Sequence, residues 1–261
     1  MAQLKALLWD VDGTLAETER DGHCVAFNQA FEACGLPWCW DEAYYGELLR
    51  ITGGRERVLH HMAWRGEGPA LAGERGVLAG KVHAKKNQIY ADLVRRAGLP
   101  LRGGVLELLE ECRSRGVTPG IATTTSRSNV EVLLHAPLGA RWATWFPVMV
   151  CGEDVQRKKP DPEVYVRALR ELKVSPLEAV AIEDSPGGVA AARAAHVPVV
   201  VALSRYFATA VIEGAIAIGP SLHERRGWRP ALPQRADAGL SVCLADIECW
   251  RAQTDSVSHC V

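Results

Sequence analysis

The sequence has no excess of either charge: 30 lysines and arginines face 31 aspartates and glutamates, a formal net charge of -1. A chain so balanced offers no basic face to a nucleic acid or an anionic membrane, so neither is expected as a partner. It lacks a charged leader followed by a long apolar segment. Met1-Ala2-Gln3 runs straight into a first strand-like stretch, so no secretory signal and no membrane span are expected, and a cytoplasmic location is. Paired cysteines are missing too. The eight cysteines, Cys24, Cys34, Cys39, Cys112, Cys151, Cys243, Cys249 and Cys260, show neither a C-x-x-C pair nor zinc-ligand spacing. In a reducing compartment they are free thiols, several of them buried as small apolar groups. There is no internal repeat and no low-complexity tract. The 261 residues suffice for one large α/β domain, or one with a smaller insert, around a substantial core.

What the sequence does have begins at Leu7-Leu8-Trp9-Asp10-Val11-Asp12-Gly13-Thr14-Leu15. An apolar run of strand length that stops at Asp10 puts two acids at a strand's carboxyl end, where open α/β sheets keep their ligands. Alternation along an extended chain points Asp10 and Asp12 to the same side, and Gly13 lets the backbone turn sharply past them. Two acids so close repel unless a cation or a shared proton relieves them, so the pair suggests Mg2+. Without that chemistry, the same residues would make an Asx-type turn after a strand.

Farther along, Thr123 ends the run Gly120-Ile121-Ala122, Lys159 stands directly before Pro160, and Glu183 and Asp184 end the run Ala179-Val180-Ala181-Ile182. Strands are expected over 117–122, 143–151, 179–182 and 197–203, alternating with helices over 105–115, 129–134, 163–172 and 189–195. This alternation implies a parallel, doubly wound sheet. Between the first and second strands the period is helical, from about Asp21, then over 41–50, 56–64 and 71–88. Thr52-Gly53-Gly54-Arg55-Glu56 is a glycine-bearing turn opening a helix, and Arg55 at its mouth makes an anion site. One lysine of the run 81–88, which holds Lys85 and Lys86, could reach a second phosphate. The hydroxyls and amides of Thr123, Thr124, Thr125 and Ser126 could cradle a phosphoryl group, with Ser126 or Ser128 doubling as a helix cap. Beyond Glu213 the pattern fades, apart from a short helix around 244–252.

Taken in order, these motifs resemble the haloacid dehalogenase superfamily of phosphatases and phosphomutases. The resemblance implies an α/β fold, a doubly wound, Rossmann-like parallel-sheet core of residues 1–16 and 90–261, with an inserted α-helical cap of residues 17–89. It also implies roles. Asp10 attacks phosphorus and forms an aspartyl-phosphate; Asp12 protonates the leaving oxygen and then activates water. Thr123 and Lys159 hold the equatorial oxygens. Mg2+ rests on Asp10, Asp184 and the backbone carbonyl of Asp12, with Glu183 in or beside that shell.

Nearer still, Asp10 through Glu19, Asp21-Gly22-His23, Ala26-Phe27-Asn28, Tyr45-Gly46-Glu47-Leu48-Leu49, Thr52 through Arg57 and Ala122 through Ser126 are similar to the CbbY-type sugar bisphosphate phosphatases, relatives of β-phosphoglucomutase. That likeness, over roughly residues 4 to 210, implies xylulose 1,5-bisphosphate as substrate, an inhibitory by-product of Rubisco. It implies that Glu17 binds sugar hydroxyls while Arg55 and Lys86 grip the phosphate that is not transferred. Gly103, where the family commonly has proline, and His196, where it commonly has glycine, depart from the pattern. A phosphomutase needs the same parts plus a cap that excludes water, and a non-catalytic phosphosugar-binding regulator would keep the fold; a dehalogenase would not need Asp12 or the Glu183-Asp184 pair. The expected partner is a small sugar phosphate, and the expected state a monomer or weak homo-oligomer. Trp38-Cys39-Trp40 is expected to pack inside the cap rather than touch substrate.

Overall fold

The computed structural model describes residues 2–233 and 239–257. Six parallel strands, β1 (Ala6–Trp9), β2 (Thr118–Ala122), β3 (Val148–Val150), β4 (Ala179–Glu183), β5 (Val199–Ala202) and β6 (Ala217–Gly219), form one sheet in the order β3-β2-β1-β4-β5-β6. The inner strands are apolar on both faces because helices cover both, as parallel sheets require. Along β1 the side chains divide by alternation. Leu7 and Trp9 join one core layer with α5 (Val105–Arg115), α6 (Arg127–Leu138) and α9 (Leu244–Val257); Ala6 and Leu8 join the other with α7 (Glu163–Leu172) and α8 (Pro186–Ala194). Strand β1 lies between β2 and β4 in matched register, Leu8 opposite Gly120 and Ala181. The ends of β1, β2 and β4 therefore come together at one edge of the sheet.

Between β1 and α5 the chain leaves the core and folds α1 (Val25–Ala33), α2 (Glu42–Leu48), α3 (Gly54–Arg65) and α4 (Ala72–Ala97). These helices enclose an apolar cluster of their own, built on Phe27, Phe31, Trp40, Tyr45 and Met62. Each large side chain fully removed from water there contributes about 1.5–3 kcal/mol. Trp38 and Trp40 are buried in this cluster, and Trp40 Nε1 donates to His61 Nδ1 at 3.1 Å, so the two tryptophans pack as expected while Cys39 between them is exposed. The expected boundary between residues 89 and 90 falls inside α4. That helix runs on to Ala97, where Val94 lies in a small cluster with Ala26, Tyr90 and Val132 of α6.

Several elements differ from their expected limits. Of 143–151 only Val148–Val150 pairs with β2, while Trp142–Thr144 forms a single 3-10 turn. Helix α8 starts three residues early because Pro186 takes its first turn and the Ser185 hydroxyl caps it, accepting from Gly188 N–H at 3.1 Å. The faded region beyond Glu213 adds β6, pairing Val200 with Ala217, and its expected short helix is α9, which runs on to Val257 and whose Trp250 ring lies 4.7 Å from that of Trp228. The cysteines among the described residues are free thiols; Cys260 lies outside the described residues. No described helix is long and apolar enough to cross a membrane.

Candidate active site

Asp10 follows directly on β1, its N–H donating to Ile182 O of β4 at 3.0 Å, and Thr123 follows β2, its N–H donating to Val150 O at 3.0 Å. Glu183 and Asp184 close β4. Lys159 reaches in from the loop before α7 and donates to Asp10 Oδ1 at 2.7 Å and to Glu183 Oε1 at 2.6 Å. Asp10, Lys159, Glu183 and Asp184 are all buried, so these charges meet with little water between them. Gly13 is required at the turn: its φ is +83°, and a Cβ there would lie 2.2 Å from Asp184 Oδ2.

Three carboxylates share this pocket with one lysine. Burial, opposed by Lys159 and reinforced by Glu183 and Asp12, raises Asp10 to about 7. Burial together with the charges of Asp10 and Glu183 raises Asp184 well above the carboxylate range. Lys159 moves upward despite its own burial, because Asp10 and Glu183 hold its proton. One oxygen from each of Asp10, Glu183 and Asp184 can come within 4.8 Å of the others, an excess of hard oxygen donors and negative charge that fits a small divalent cation. Glu183 is the least available of the three. Its Oε1 also accepts from Tyr165 OH at 2.6 Å, and its Oε2 lies 3.3 Å from Asp184 N and 3.4 Å from Ser185 Oγ. It anchors Lys159 from below.

Asp12 turns its carboxylate away from that cluster. Oδ1 accepts from Thr18 Oγ1 at 2.6 Å and lies 2.9 Å from His23 Nε2, and the imidazole stacks on Tyr90 at 4.1 Å between centroids. Burial would raise Asp12, but the charge and hydrogen bond of His23, with Thr18 and Lys86, hold it well below the carboxylate range. The segment Glu19–Cys24 makes this contact possible. It is wound as a π-helical turn in which His23 N–H donates to Thr18 O at 2.8 Å, a backbone form common at functional sites. The sequence pattern assigns His23 no role, since ordinary helical spacing does not aim it at Asp12.

A cavity of about 290 Å³ opens above these groups, between core and helical insert. Thr123, Thr124, Thr125 and Ser126 line its core side. Ser126 Oγ accepts from Asn87 Nδ2 of α4 at 3.0 Å, and Asn129 Nδ2 donates to Asn87 Oδ1 at 3.1 Å, tying the threonine loop to the insert. Glu17 lines the rim, accepting from Arg205 N–H at 3.3 Å. The opposite wall is cationic. Lys86 is buried with its ammonium 5.2 Å from the centroids of both Phe27 and Tyr90, its nearest oxygen acceptor being Asn87 Oδ1 at 3.5 Å; burial lowers it to about 8. His83, lowered to about 4 by burial and then by Lys86 and Lys158, lies beside it. Lys85 and Lys81 of the same helix are exposed.

Arg55 is a correction. It is exposed, its guanidinium touches Gly76 O at 3.4 Å, and it does not line the cavity. Arg57 lines it instead, held by Glu19 Oε1 at 3.5 Å, Tyr45 OH at 3.0 Å and Ile51 O at 2.9 Å. Two residues along a helix lie about 200° apart, so once α3 starts at Gly54 only one of the two arginines can face inward. Gly53 offers α3 no side-chain cap, and the Glu56 carboxylate folds back over the first turn, its Oε2 2.1 Å from where a Cβ on Gly53 would lie, accepting from its own backbone N–H. Lys158, missed in the sequence, crosses the seam and donates to both oxygens of Glu56 at 2.8 and 2.9 Å.

A family model described as haloacid dehalogenase-like hydrolase matches residues 4–196. The plasmid-borne Protein CbbY of Cupriavidus necator is 42% identical over 255 residues, covering 95% of this chain and 96% of that protein. A Thermotoga maritima protein, Phosphorylated carbohydrates phosphatase, is 31% identical over 195 residues, 74% of this chain and 82% of its own. Among solved structures, a mutant CbbY from Rhodobacter sphaeroides in complex with xylulose-(1,5)bisphosphate superposes with a TM-score of 0.79 at 37% identity, over 86% of this chain and 97% of that one.

Proposed function

Because the chain belongs to the haloacid dehalogenase-like hydrolases and is a CbbY-like phosphoric monoester hydrolase, we propose that it removes one phosphate from a small sugar bisphosphate, xylulose 1,5-bisphosphate, with Mg2+ and through an aspartyl-phosphate. One observation supports this reading: the cavity is lined by Lys159 and the threonine loop on one side and by Lys86 and Arg57 on the other, groups that suit a phosphate at each end. A sugar with a phosphate at each end matches both walls, as does the ligand of the R. sphaeroides relative. The role that follows is disposal of an inhibitory by-product of Rubisco.

Uncatalysed phosphate monoester hydrolysis is so slow that enzymes accelerate it by up to about 10²¹-fold, mostly through positioning and charge neutralisation. Asp10 Oδ attacks phosphorus in line, forming a P–O bond to its carboxylate while the bond to the sugar oxygen breaks. Lys159 holds Asp10 in place and offers positive charge to the phosphoryl oxygens, with Thr123 Oγ1 and the amides of Thr124 and Thr125 beside it. The Asp12–His23 pair delivers a proton to the departing sugar oxygen and takes one from the water that cleaves the acyl phosphate. Asp10, Asp184 and the backbone carbonyl of Asp12 would hold Mg2+, with Glu183 beside them; bound there, the ion neutralises charge between nucleophile and phosphoryl group. Glu17 meets sugar hydroxyls. Arg57 takes the distal grip that the sequence assigned to Arg55, together with Lys86.

Phosphate release with Mg2+ across ketose and aldose mono- and bisphosphates tests the proposal. A strong preference for xylulose 1,5-bisphosphate is expected. Equal rates on monophosphates would overturn the bisphosphate reading, and conversion to an isomeric sugar phosphate without free phosphate would make the protein a mutase.

A further inference from the structure

Outside the cavity, the group with the most unusual set of partners is Arg102. It stands in the linker between α4 and α5, the second crossing from the helical insert back to the core, and its side chain is 11% exposed. Nη1 donates to Gly13 O and, at 2.9 Å, to Ala202 O; Nη2 donates to Leu203 O at 2.7 Å and Pro220 O at 3.3 Å; Nε faces Glu17 Oε1 at 3.5 Å. Four of the guanidinium's five N–H groups thus have backbone carbonyls as acceptors, and the fifth faces a carboxylate as an ion pair. The backbone of the same residue joins in, Arg102 N–H donating to Leu15 O at 2.8 Å.

The partners belong to three parts of the chain that must agree for the site to work. Gly13, Leu15 and Glu17 form the first crossing, directly after Asp10 and Asp12. Ala202 and Leu203 end β5 and lead into Ser204, Tyr206 and Phe207, which line the cavity. Pro220 directly follows β6, and Arg102 itself stands in the second crossing. Gly103 and Gly104 let that linker lie flat on the chain after β6: a Cβ on Gly104 would fall 2.4 Å from the Leu222 carbonyl carbon, and one on Gly103 would sit 3.0 Å from His223 Cβ. Glu17 is held from two sides, by Arg102 Nε and by the Arg205 amide, and its carboxylate points into the cavity rim.

We propose that Arg102 is the positioning residue of the hinge: it clasps both crossings to the end of β5 and so fixes Glu17 at the height where the substrate's hydroxyls lie. It touches no reacting atom; it acts through Glu17 and the Gly13 turn. The part concerning Glu17 rests on the sugar bisphosphate reading, while the clasp does not. A lysine cannot replace it, because one ammonium has three donors on a point and cannot span carbonyls from three segments.

The test compares wild type, Arg102→Lys, Glu17→Gln and the double variant. In Arg102→Lys, amide hydrogen exchange is expected to rise at least about tenfold together in residues 13–17 and 203–206, with β1 and β4 unchanged. For xylulose 1,5-bisphosphate kcat/KM is expected to fall about 100-fold, as a small misplacement of a binding group can cause. Release of phosphate from p-nitrophenyl phosphate, which has no hydroxyls for Glu17, is expected to stay within about threefold, and in the Glu17→Gln background Arg102→Lys should add almost nothing. Equal loss on both substrates, or losses that multiply in the double variant, would overturn the Glu17 role. Unchanged exchange in both segments would overturn the clasp. Should the wild type release no phosphate from any sugar bisphosphate, the function fails, and hydrogen exchange still decides the clasp. If Arg102→Lys does not fold, Glu17→Gln carries the test alone: loosening of 203–206 as large as that of 13–17 would show that Glu17, not the guanidinium, joins the segments.

Discussion

His23 Nε2 lies 2.9 Å from Asp12 Oδ1, and the two residues are joined again through Thr18, whose hydroxyl binds the same oxygen and whose carbonyl accepts the His23 amide. The imidazole thus has one orientation and Asp12 one rotamer. A carboxylate held this way, ionised and paired with an imidazole, is ready to exchange a proton through that pair without first having to find its position.

Removing the imidazole is therefore expected to slow chemistry rather than binding. His23→Ala should lower kcat about 100-fold with KM nearly unchanged, the usual range for a general acid–base partner. His23→Gln, which keeps a donor at the same reach, should retain more. Steady-state kinetics on the preferred substrate decide it; a change confined to KM would place His23 in binding instead.

The two neighbouring arginines should behave differently. Arg57→Ala is expected to raise KM for a sugar bisphosphate at least about tenfold, as befits loss of a charge-assisted contact. Arg55→Ala should remain within about twofold, the normal result for an exposed side chain. The reverse ranking would return the distal grip to Arg55.

The acidic cluster makes stability depend on pH and Mg2+ together. Asp10, raised to about 7, and Asp184, also raised, favour the fold fully below their unfolded value near 4 and lose that contribution as pH rises through the folded value. Asp12 works the other way: held low, it contributes above its unfolded value and loses that only as pH falls far below 4. Metal binding needs ionised carboxylates, so it relieves the strain that grows with pH. Thermal melts should show Mg2+ raising Tm by several degrees at pH 8 and by almost nothing at pH 5, about 2–4 °C corresponding to each kcal/mol in a chain this size. Asp184→Asn should remove the difference.

His196 ends α8 with φ +59° and is exposed. A left-handed backbone costs a side-chain-bearing residue about 1–2 kcal/mol. His196→Gly should therefore stabilise the protein by about 1 kcal/mol with no change in kcat, since His196 does not line the cavity. A lower Tm in the variant would show that the imidazole makes a contact worth more than the strain.

Much of this site was legible because its chemistry sits at strand ends. Asp10, Thr123 and Glu183-Asp184 each follow an apolar run, and a parallel sheet with β1 in the middle brings such ends together whatever the helices do. The helical wall was harder. Whether Arg55 or Arg57 faces the cavity depends on the residue at which α3 begins, and His23 reaches Asp12 only through a π-helical turn that no period announces. Strand β6 is three residues of Ala, Ile and Gly at the sheet's edge, too short to carry alternation. Nothing in the sequence singles out Arg102, because most of its acceptors are backbone carbonyls, which every residue has.

Both crossings of the helical insert leave the core at the carboxyl end of β1, an inner strand of the sheet, and Arg57 and Lys86 of the cationic wall stand on α3 and α4. Bond-breaking and the distal phosphate grip are thus written on separate stretches of chain. Mutation can remodel residues 25–97 to admit a different phosphorylated metabolite while the aspartate, lysine and threonine beneath stay untouched. Such an architecture lets lineages diversify their substrates without reinventing their reaction.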